Sequence, residues 1–322
     1  MGIKNLNRFL YENCTKKSIR KIHLNELANK IIVVDTSIYL YKYSSEDLLM
    51  ENMYLLISIL KYYRIIPIFI FDGKPPPEKR ELLQKRRSMK KEAEEKYNEL
   101  KTSTNEEIVD HIVQAELEKL KRMFVRISDE SIKKVKLLME AYGVTYYDAP
   151  GEADHLCAFL VKNNNAWGCI SDDMDMFLYG CNYVIRNISL LKHTAILYDT
   201  AQIWTDLEMT EQNFREIMVL SGTDYNIHSK TSLKETIRWY YEYMKYRNKT
   251  TTTTDKLLGF YVWLIKNTKY ITDYKALLVT YMMFNCNNCV ELEKWKTMEI
   301  QTDTINKEKL IEIMEPEGFI FC

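Results

Sequence analysis

The chain has 322 residues, 46% hydrophobic and 28% charged, with Lys plus Arg and Asp plus Glu balanced at 45 each. This length and apolar fraction exclude general disorder and allow one large α/β domain with a helical appendage, or two domains. Zero net charge excludes reading a nucleic-acid partner from the total, so the distribution of charge along the chain has to be read instead.

The first apolar run, Ile31-Ile32-Val33-Val34, stops at Asp35. An apolar helix over 48–63 follows, then a second run over 65–72 that stops at Asp72. Runs this rich in Ile, Val and Phe are strands covered on both faces, and their spacing is that of a right-handed βαβ crossover. Pro67 places itself at the start of the second strand or on a sheet edge. From Lys74 to Lys91 the character changes. Pro75-Pro76-Pro77 breaks the chain, and eight basic residues (Lys74, Lys79, Arg80, Lys85, Arg86, Arg87, Lys90, Lys91) fall within eighteen positions against two acids. The Glu-, Lys- and Arg-rich stretch to about Lys101 predicts a helix with a thin apolar stripe that projects into water. After a polar break at 102–105, Ile108, Ile112, Ala115, Leu120, Phe124 and Ile127 recur at helical spacing and predict a second helix leaning on the first. Taken alone, this pair reads as a solvated surface hairpin.

Ser128 followed by Asp129 and Glu130 is an N-cap with first-turn acids, opening a helix that ends near Gly143. A strand over 144–148 comes next, then Pro150-Gly151 and a helix with Ala153, Leu156, Phe159 and Leu160 on one face. Glu152 and Asp154 stand at its start. Positions i and i+2 of a helix point ~200° apart, so both acids reach one site only if Glu152 lies in the turn before the helix. Gly168-Cys169-Ile170-Ser171 is a further strand, stopping at Asp172, Asp173 and Asp175. Two more strands, 183–188 and 194–198, precede a helix through Met218-Val219-Leu220 that stops at Ser221-Gly222, with Asp224 just beyond. The remainder reads as helical and aromatic (Trp239, Tyr240, Tyr241, Tyr243, Tyr246), broken by a threonine-rich loop at 250–254. Burial habits make those aromatics core rather than a partner surface.

In a parallel sheet the ligand crevice lies at the carboxyl ends of the strands, where these acids fall. Clustered carboxylates repel one another and lose hydration unless a hard cation neutralises them. Asp35, Asp72, Glu152, Asp154, Asp173, Asp175 and Asp224 offer oxygen ligands only, which selects Mg²⁺ or Mn²⁺ over zinc. Two such ions ~4 Å apart stabilise the attacking and leaving oxygens of a phosphodiester, and the basic helix after Asp72 would hold the phosphate. Singly, each aspartate also reads as a strand end or helix cap. Other chemistries fit worse: Asp35-Thr36-Ser37 lacks the second acid of an aspartyl-phosphate motif, and the chain contains no NTP-binding GxxxxGK[ST] loop and no G-x-S-x-G elbow. His23, His111, His155, His193 and His228 are scattered and read as surface or structural residues.

Seven cysteines, odd in number and without framework spacing, indicate reduced thiols in an intracellular setting. Cys286-Asn287-Asn288-Cys289 is a lone CxxC without the second pair or spaced histidine of a zinc site. No apolar stretch approaches the ~20 residues of a membrane span, no signal-peptide core is present, and Leu6 stands where a myristoylation signal needs Ser or Thr. A soluble, cytosolic protein is expected.

At these residues the sequence resembles the flap endonuclease family of structure-specific 5′ nucleases, an XPG-like, PIN-like group. The resemblance runs through Met1-Gly2-Ile3-Lys4-Asn5-Leu6, Val34-Asp35-Thr36-Ser37, Phe71-Asp72-Gly73-Lys74-Pro75-Pro76, the stretch from Asp148 to Asp154, Ser171-Asp172-Asp173-Met174-Asp175, and Leu220-Ser221-Gly222-Thr223-Asp224-Tyr225. It implies a mostly parallel PIN-like sheet flanked by helices, with a nuclease domain over 1–225, a helical arch over 79–127 and a helical carboxyl region over 226–322. It implies two Mg²⁺ or Mn²⁺ ions held by the seven acids above, with Asp172 a neighbour and not a ligand. It makes Lys79 and Arg86 the scissile-phosphate residues, acting with Asp173, and Tyr41 the aromatic on which the terminal base stacks. Gly2, Lys74, Arg80, Lys85 and Arg87 would contact DNA.

The sequence departs from the family pattern in three places. The segment 226–233 has no glycine, which weakens a helix–hairpin–helix on duplex backbone. Asp154 replaces the commoner glutamate, and the carboxyl terminus lacks a clear sliding-clamp peptide. Poxvirus members are the most similar, which implies branched or 5′-ended DNA as substrate, viral replication or recombination proteins as partners, and work in the cytoplasm of the infected cell. Two alternatives stay open: a catalytically silent DNA-binding recombination scaffold, and a PIN-like ribonuclease.

Overall fold

A computed structural model describes residues 3–103, 111–226, 231–249, 259–285, 290–301 and 304–321. Gly2, the CxxC at 286–289, the threonine loop at 250–254, Ile108, His228 and most of the glycine-free segment after Asn226 lie outside the described residues. Seven strands and flanking helices make a mixed sheet of the PIN-like kind, and the chain divides into two compact units. The units are discontinuous in sequence: one holds Met1–His23, Asp154–Ser189 and Thr194–Lys296, the other Leu24–Ala153, Leu190–His193 and Thr297–Cys322.

In the second of these units β2 (Ile31–Asp35), β3 (Ile66–Phe71) and β4 (Thr145–Asp148) are parallel, in the order β2-β3-β4, with Asp35 opposite Ile70 and Phe71 opposite Asp148. Ile32, Val33, Val34, Ile68, Phe69 and Ile70 are fully buried, as continuous apolar runs demand. Helix α2 (Thr36–Ser45) begins directly at Asp35, and α3 (Leu49–Tyr62) buries Met53, Leu56, Ile57 and Leu60. Pro67 pairs with Ile32 but precedes the stretch of β3 that meets β4, so it sits at the strand start and not at an edge. The ring therefore removes no N–H that a ladder needs.

Helix α4 (Arg80–Ser103) and α5 (His111–Met123) form the expected hairpin, but the apolar stripe of α5 differs from the predicted one. Ile112 is 75% exposed and Ala115 is exposed, while Leu120 is buried and Val113, Leu117 and Phe124 are half-buried. The 3.6-residue period holds; its phase is set by packing on α4, where Tyr97 meets Phe124 edge-on at 5.4 Å. Helix α6 (Asp129–Ala141) is capped by Ser128 Oγ, which accepts from Ser131 N at 3.0 Å.

The first unit holds α1 (Leu6–Asn13), β1 (Ile19–His23), α7 (Ala153–Lys162, all but its first residue), β5 (Gly168–Ile170), β6 (Tyr183–Ser189), β7 (Thr194–Asp199), α8 (Thr200–Asp206) and α9 (Glu211–Leu220). Its strand order is β1-β7-β6-β5; β5 and β6 are parallel, while β7 runs antiparallel to both neighbours. The sheet is thus mixed rather than mostly parallel at this side. Helices α10 (Leu233–Lys249), α11 (Phe260–Asn267) and α12 (Tyr274–Met283) carry the aromatic stretch, and α13 (Lys307–Met314) belongs to the other unit. The aromatics are largely core: Tyr240, Tyr243, Phe260 and Trp263 are buried, and Tyr240 meets Phe260 edge-on at 5.5 Å. Tyr241 is the exception at 50% exposure. The described cysteines Cys14, Cys157, Cys169 and Cys181 form no disulfide among the described residues.

Candidate nuclease site

Asp35 and Asp72 sit at the carboxyl ends of the neighbouring parallel strands β2 and β3, Asp35 buried and Asp72 exposed. The β3–β4 pairing continues past both strands. Ala149 N donates to Phe71 O at 2.9 Å, Gly73 N to Gly151 O at 2.7 Å, and Ala153 N to Asp72 Oδ1 at 2.8 Å. These bonds zip the turn after Asp72 to the turn carrying Glu152. Gly73 is required there, because a Cβ would stand 2.0 Å from Ala149 O. Glu152 lies in the turn before α7, so the geometric demand made by the Glu152/Asp154 spacing is met.

Lys79 ends a short 3₁₀ turn, Pro77–Lys79, is 7% exposed, and its Nζ lies 2.5 Å from Glu152 Oε1. A buried ammonium is thus held against the Glu152 carboxylate at the foot of the basic helix. Arg86 follows two turns on, half-buried, while Arg80, Lys85 and Arg87 are exposed along α4, as is Lys74 before it. Lys90 occupies the same inner face as Arg86. Its Nζ lies 4.9 Å from the Tyr41 ring centroid and donates to Val125 O at 2.9 Å, and burial, with Arg126 and Arg86 nearby, lowers its pKa. Tyr41 itself is 50% exposed, its ring presented to solvent beside α4.

In the other unit Asp173 caps the 3₁₀ turn Met174–Phe177, its Oδ1 accepting from Asp175 N at 3.0 Å. Asp154 and Asp175 are buried, and both raise the Tyr179 phenol, which burial above all drives well above its ordinary range. Tyr179 OH lies 3.4 Å from Tyr225 OH and stacks on the His155 ring at 5.6 Å, where burial lowers the imidazole pKa. The turn carrying Asp224 is fixed by Asn226, whose Oδ1 accepts from Thr223 N at 2.5 Å and Thr223 Oγ1 at 2.8 Å, and whose Nδ2 donates to Val219 O at 2.9 Å. Asp172 is engaged elsewhere: its Oδ1 accepts from Asn187 N at 2.8 Å and its carbonyl from Arg186 Nη2 at 2.7 Å.

Lys90 stood in the sequence only as one of eight basic residues and Tyr179 carried no functional signal, because each acts through a partner distant along the chain, Tyr41 and Tyr225 respectively; Asn226 acts locally, on Thr223 and Val219. Among the described residues, no three His, Cys, Asp or Glu side chains come close enough together to hold a metal ion. Asp35, Asp72 and Glu152 belong to one unit, and Asp154, Asp173, Asp175 and Asp224 to the other. The donor set is carboxylate throughout, which by chemistry suits a hard cation.

The XPG N-terminal domain matches residues 1–93 and the XPG I-region residues 143–224. The chain is 29% identical over 244 residues to flap endonuclease 1 of Glycine max, covering 70% of this chain and 62% of that one. It is 27% identical over 288 residues to the probable RAD2-like endonuclease 369L of Invertebrate iridescent virus 6, covering 70% and 67%. It thus spans less than two thirds of the plant relative's length. The catalytic core of Rad2, solved in complex with DNA substrate, superposes with a TM-score of 0.67 at 22% identity, covering 99% of this chain and 96% of that one. The two matched XPG regions fall on the strands and turns that carry the acids, and the chain belongs to the XPG-like flap endonuclease family.

Proposed function

We propose that the protein is a divalent-metal-dependent, structure-specific nuclease that cleaves phosphodiesters in flap, gapped or branched DNA. The observation that carries this reading is the zipped pair of turns that ties Asp72 to Ala153 N and carries Glu152, whose carboxylate meets the buried Lys79 ammonium at the foot of a basic helix. Asp35, Asp72, Glu152, Asp154, Asp173, Asp175 and Asp224 would hold Mg²⁺ or Mn²⁺, which supplies charge at the scissile phosphate when bound. Lys79 and Arg86 neutralise charge developing on that phosphate, and Tyr41 offers a half-exposed ring for a terminal base. Lys74, Arg80, Lys85 and Arg87 track the backbone, and Gly2 would approach it. The proposed setting is replication, recombination or repair of viral DNA in the cytoplasm of an infected cell, supported by the poxvirus-like sequence and by the iridescent-virus relative.

The test is cleavage of a 5′-flap duplex by the purified full chain. EDTA and Asp173→Ala each abolish it, and Lys79→Ala lowers kcat more than it raises KM. Absence of cleavage on flap, gapped and nicked DNA with Mg²⁺ or Mn²⁺ refutes the reading in favour of a silent scaffold. Faster cleavage of RNA than of flap DNA makes the protein a ribonuclease.

A further inference from the structure

Arg186 of β6 is 8% exposed, yet it forms no ion pair among the described residues. A guanidinium buried in this way gives up its hydration, a loss that a carboxylate partner usually offsets. Here the partners are neutral. Nη2 donates to the backbone carbonyl of Asp172 at 2.7 Å and Nη1 to Asn7 Oδ1 at 3.1 Å, while Nε is buried with no acceptor. The guanidinium carbon lies 5.6 Å from the Tyr198 ring centroid. Tyr198 OH donates to the same Asn7 oxygen at 2.8 Å, so Asn7 steadies the fork that reaches the turn after β5.

Three consecutive residues of β6 grip that turn. Ser171 N donates to Ile185 O at 3.2 Å, Arg186 takes the Asp172 carbonyl, and Asn187 N donates to Asp172 Oδ1 at 2.8 Å. The last bond depends on a bulge. Arg186 and Ser189 pair with Ile196 and Thr194 of β7, and Asn187 falls in the register shift between them, with a left-handed φ of 52° that asparagine tolerates. The peptide joining Asp172 to Asp173 is then fixed on both sides, its C=O by Arg186 and its N–H by Ser171 Oγ at 3.1 Å. That plane sets the direction in which the Asp173 side chain leaves the backbone, and Asp175 N holds Asp173 Oδ1 at 3.0 Å.

We propose that Arg186 is a positioning residue for Asp173: it commits a buried cation to fixing the Asp172–Asp173 peptide, and so presents the Asp173 carboxylate for the reaction. The inference rests on the nuclease reading for what Asp173 does, and on this geometry for how it is held. Partners that orient a ligating side chain are generally worth about 10–100-fold in metal affinity or activity.

The test compares Arg186→Gln and Arg186→Lys with Ile22→Ala, a control for lost stability that empties a buried position of β1 paired with Ala195. Two quantities are read on the full chain: kcat and KM for a 5′-flap duplex, and the dissociation constant for Mn²⁺ alone, by electron paramagnetic resonance without DNA. Arg186→Gln should lower kcat and weaken Mn²⁺ binding by about 10–100-fold each, with KM for DNA unchanged. Arg186→Lys keeps the charge and one donor arm and should recover part of both. Ile22→Ala should lower the melting temperature and leave Mn²⁺ binding at the wild-type value, because a smaller folded fraction does not change a dissociation constant. A folded Arg186→Gln with wild-type kcat and Mn²⁺ affinity overturns the proposal, as do equal losses in Ile22→Ala. If Arg186→Gln does not fold, Arg186→Lys decides: smaller losses of both quantities support the proposal and wild-type values overturn it. A wild type that binds Mn²⁺ but cleaves no DNA removes the nuclease reading, and Mn²⁺ binding then decides for Arg186 by the same criterion. A wild type that does neither overturns both.

Discussion

Replacing Lys79 by Met isolates the contact on which the local geometry of the site turns. The Lys79 and Glu152 side chains are 9% and 16% exposed, with Nζ and Oε1 2.5 Å apart. At an effective dielectric of ~20 their attraction is about 7 kcal/mol, opposed by desolvation of both ions at several kcal/mol. Removing only the lysine takes this compensation from the glutamate, so Lys79→Met should cost ~3 kcal/mol, the lower end for a broken buried pair. Glu152→Gln alone leaves the ammonium with a neutral acceptor and should cost less. The double variant should be more stable than the sum of the two by ~1–3 kcal/mol, because neither charge remains. Urea unfolding of all four proteins in EDTA measures this. A Lys79→Met effect within about 0.5 kcal/mol of zero, or additive single effects, would refute the claim that Lys79 holds Glu152 in place.

Gly73→Ala puts a methyl 2.0 Å from Ala149 O and 3.1 Å from Gly151 O, so the zipped turns must part. A loss of ~1–3 kcal/mol in unfolding free energy, together with loss of flap cleavage, is expected, and wild-type values for both would contradict the zipped geometry. Glu216 is 7% exposed, and burial raises its pKa despite a hydrogen bond from Gln212. A carboxyl raised on folding contributes stability below its unfolded pKa and loses it as pH rises through the folded value. Glu216→Gln should therefore gain stability over wild type at about pH 8 relative to about pH 4, as read by thermal melts at both; a gain that is flat in pH or larger at acid pH would count against it. Lys90→Met removes the cation beside Tyr41 and the bond to Val125 O, and should raise KM for 5′-ended DNA with little change in kcat. Steady-state kinetics that show the reverse split would place Lys90 in the chemistry instead.

Much of the fold could be read from local pattern. The runs ending at Asp35, Asp72 and Ile170 are strands within a residue or two of their expected limits, Ser128 caps α6, and Glu152 precedes its helix as the Glu152/Asp154 spacing requires. Strand β1 escaped notice because Arg20, Lys21 and His23 are exposed along a five-residue edge strand that has no continuous apolar run. Helix α2 escaped because Thr36, Tyr39 and Tyr43 favour strands intrinsically and are held helical by burial. In α5 the period was legible and the phase was not, since the side facing α4 is chosen by that contact.

The sequence by itself determined the chemical kinds at the site: seven carboxylates placed after apolar runs, and a cluster of cations directly beyond Asp72. Which of them touch was decided only by tertiary structure. The pairing of Lys79 with Glu152, the tie from Asp72 to Ala153 and the cover of Tyr41 by Lys90 join residues 49 to 81 positions apart. Periodicity reports how one segment meets an average interior. It carries no record of the register between segments, and that register is set by backbone hydrogen bonds that form only when the strands are side by side.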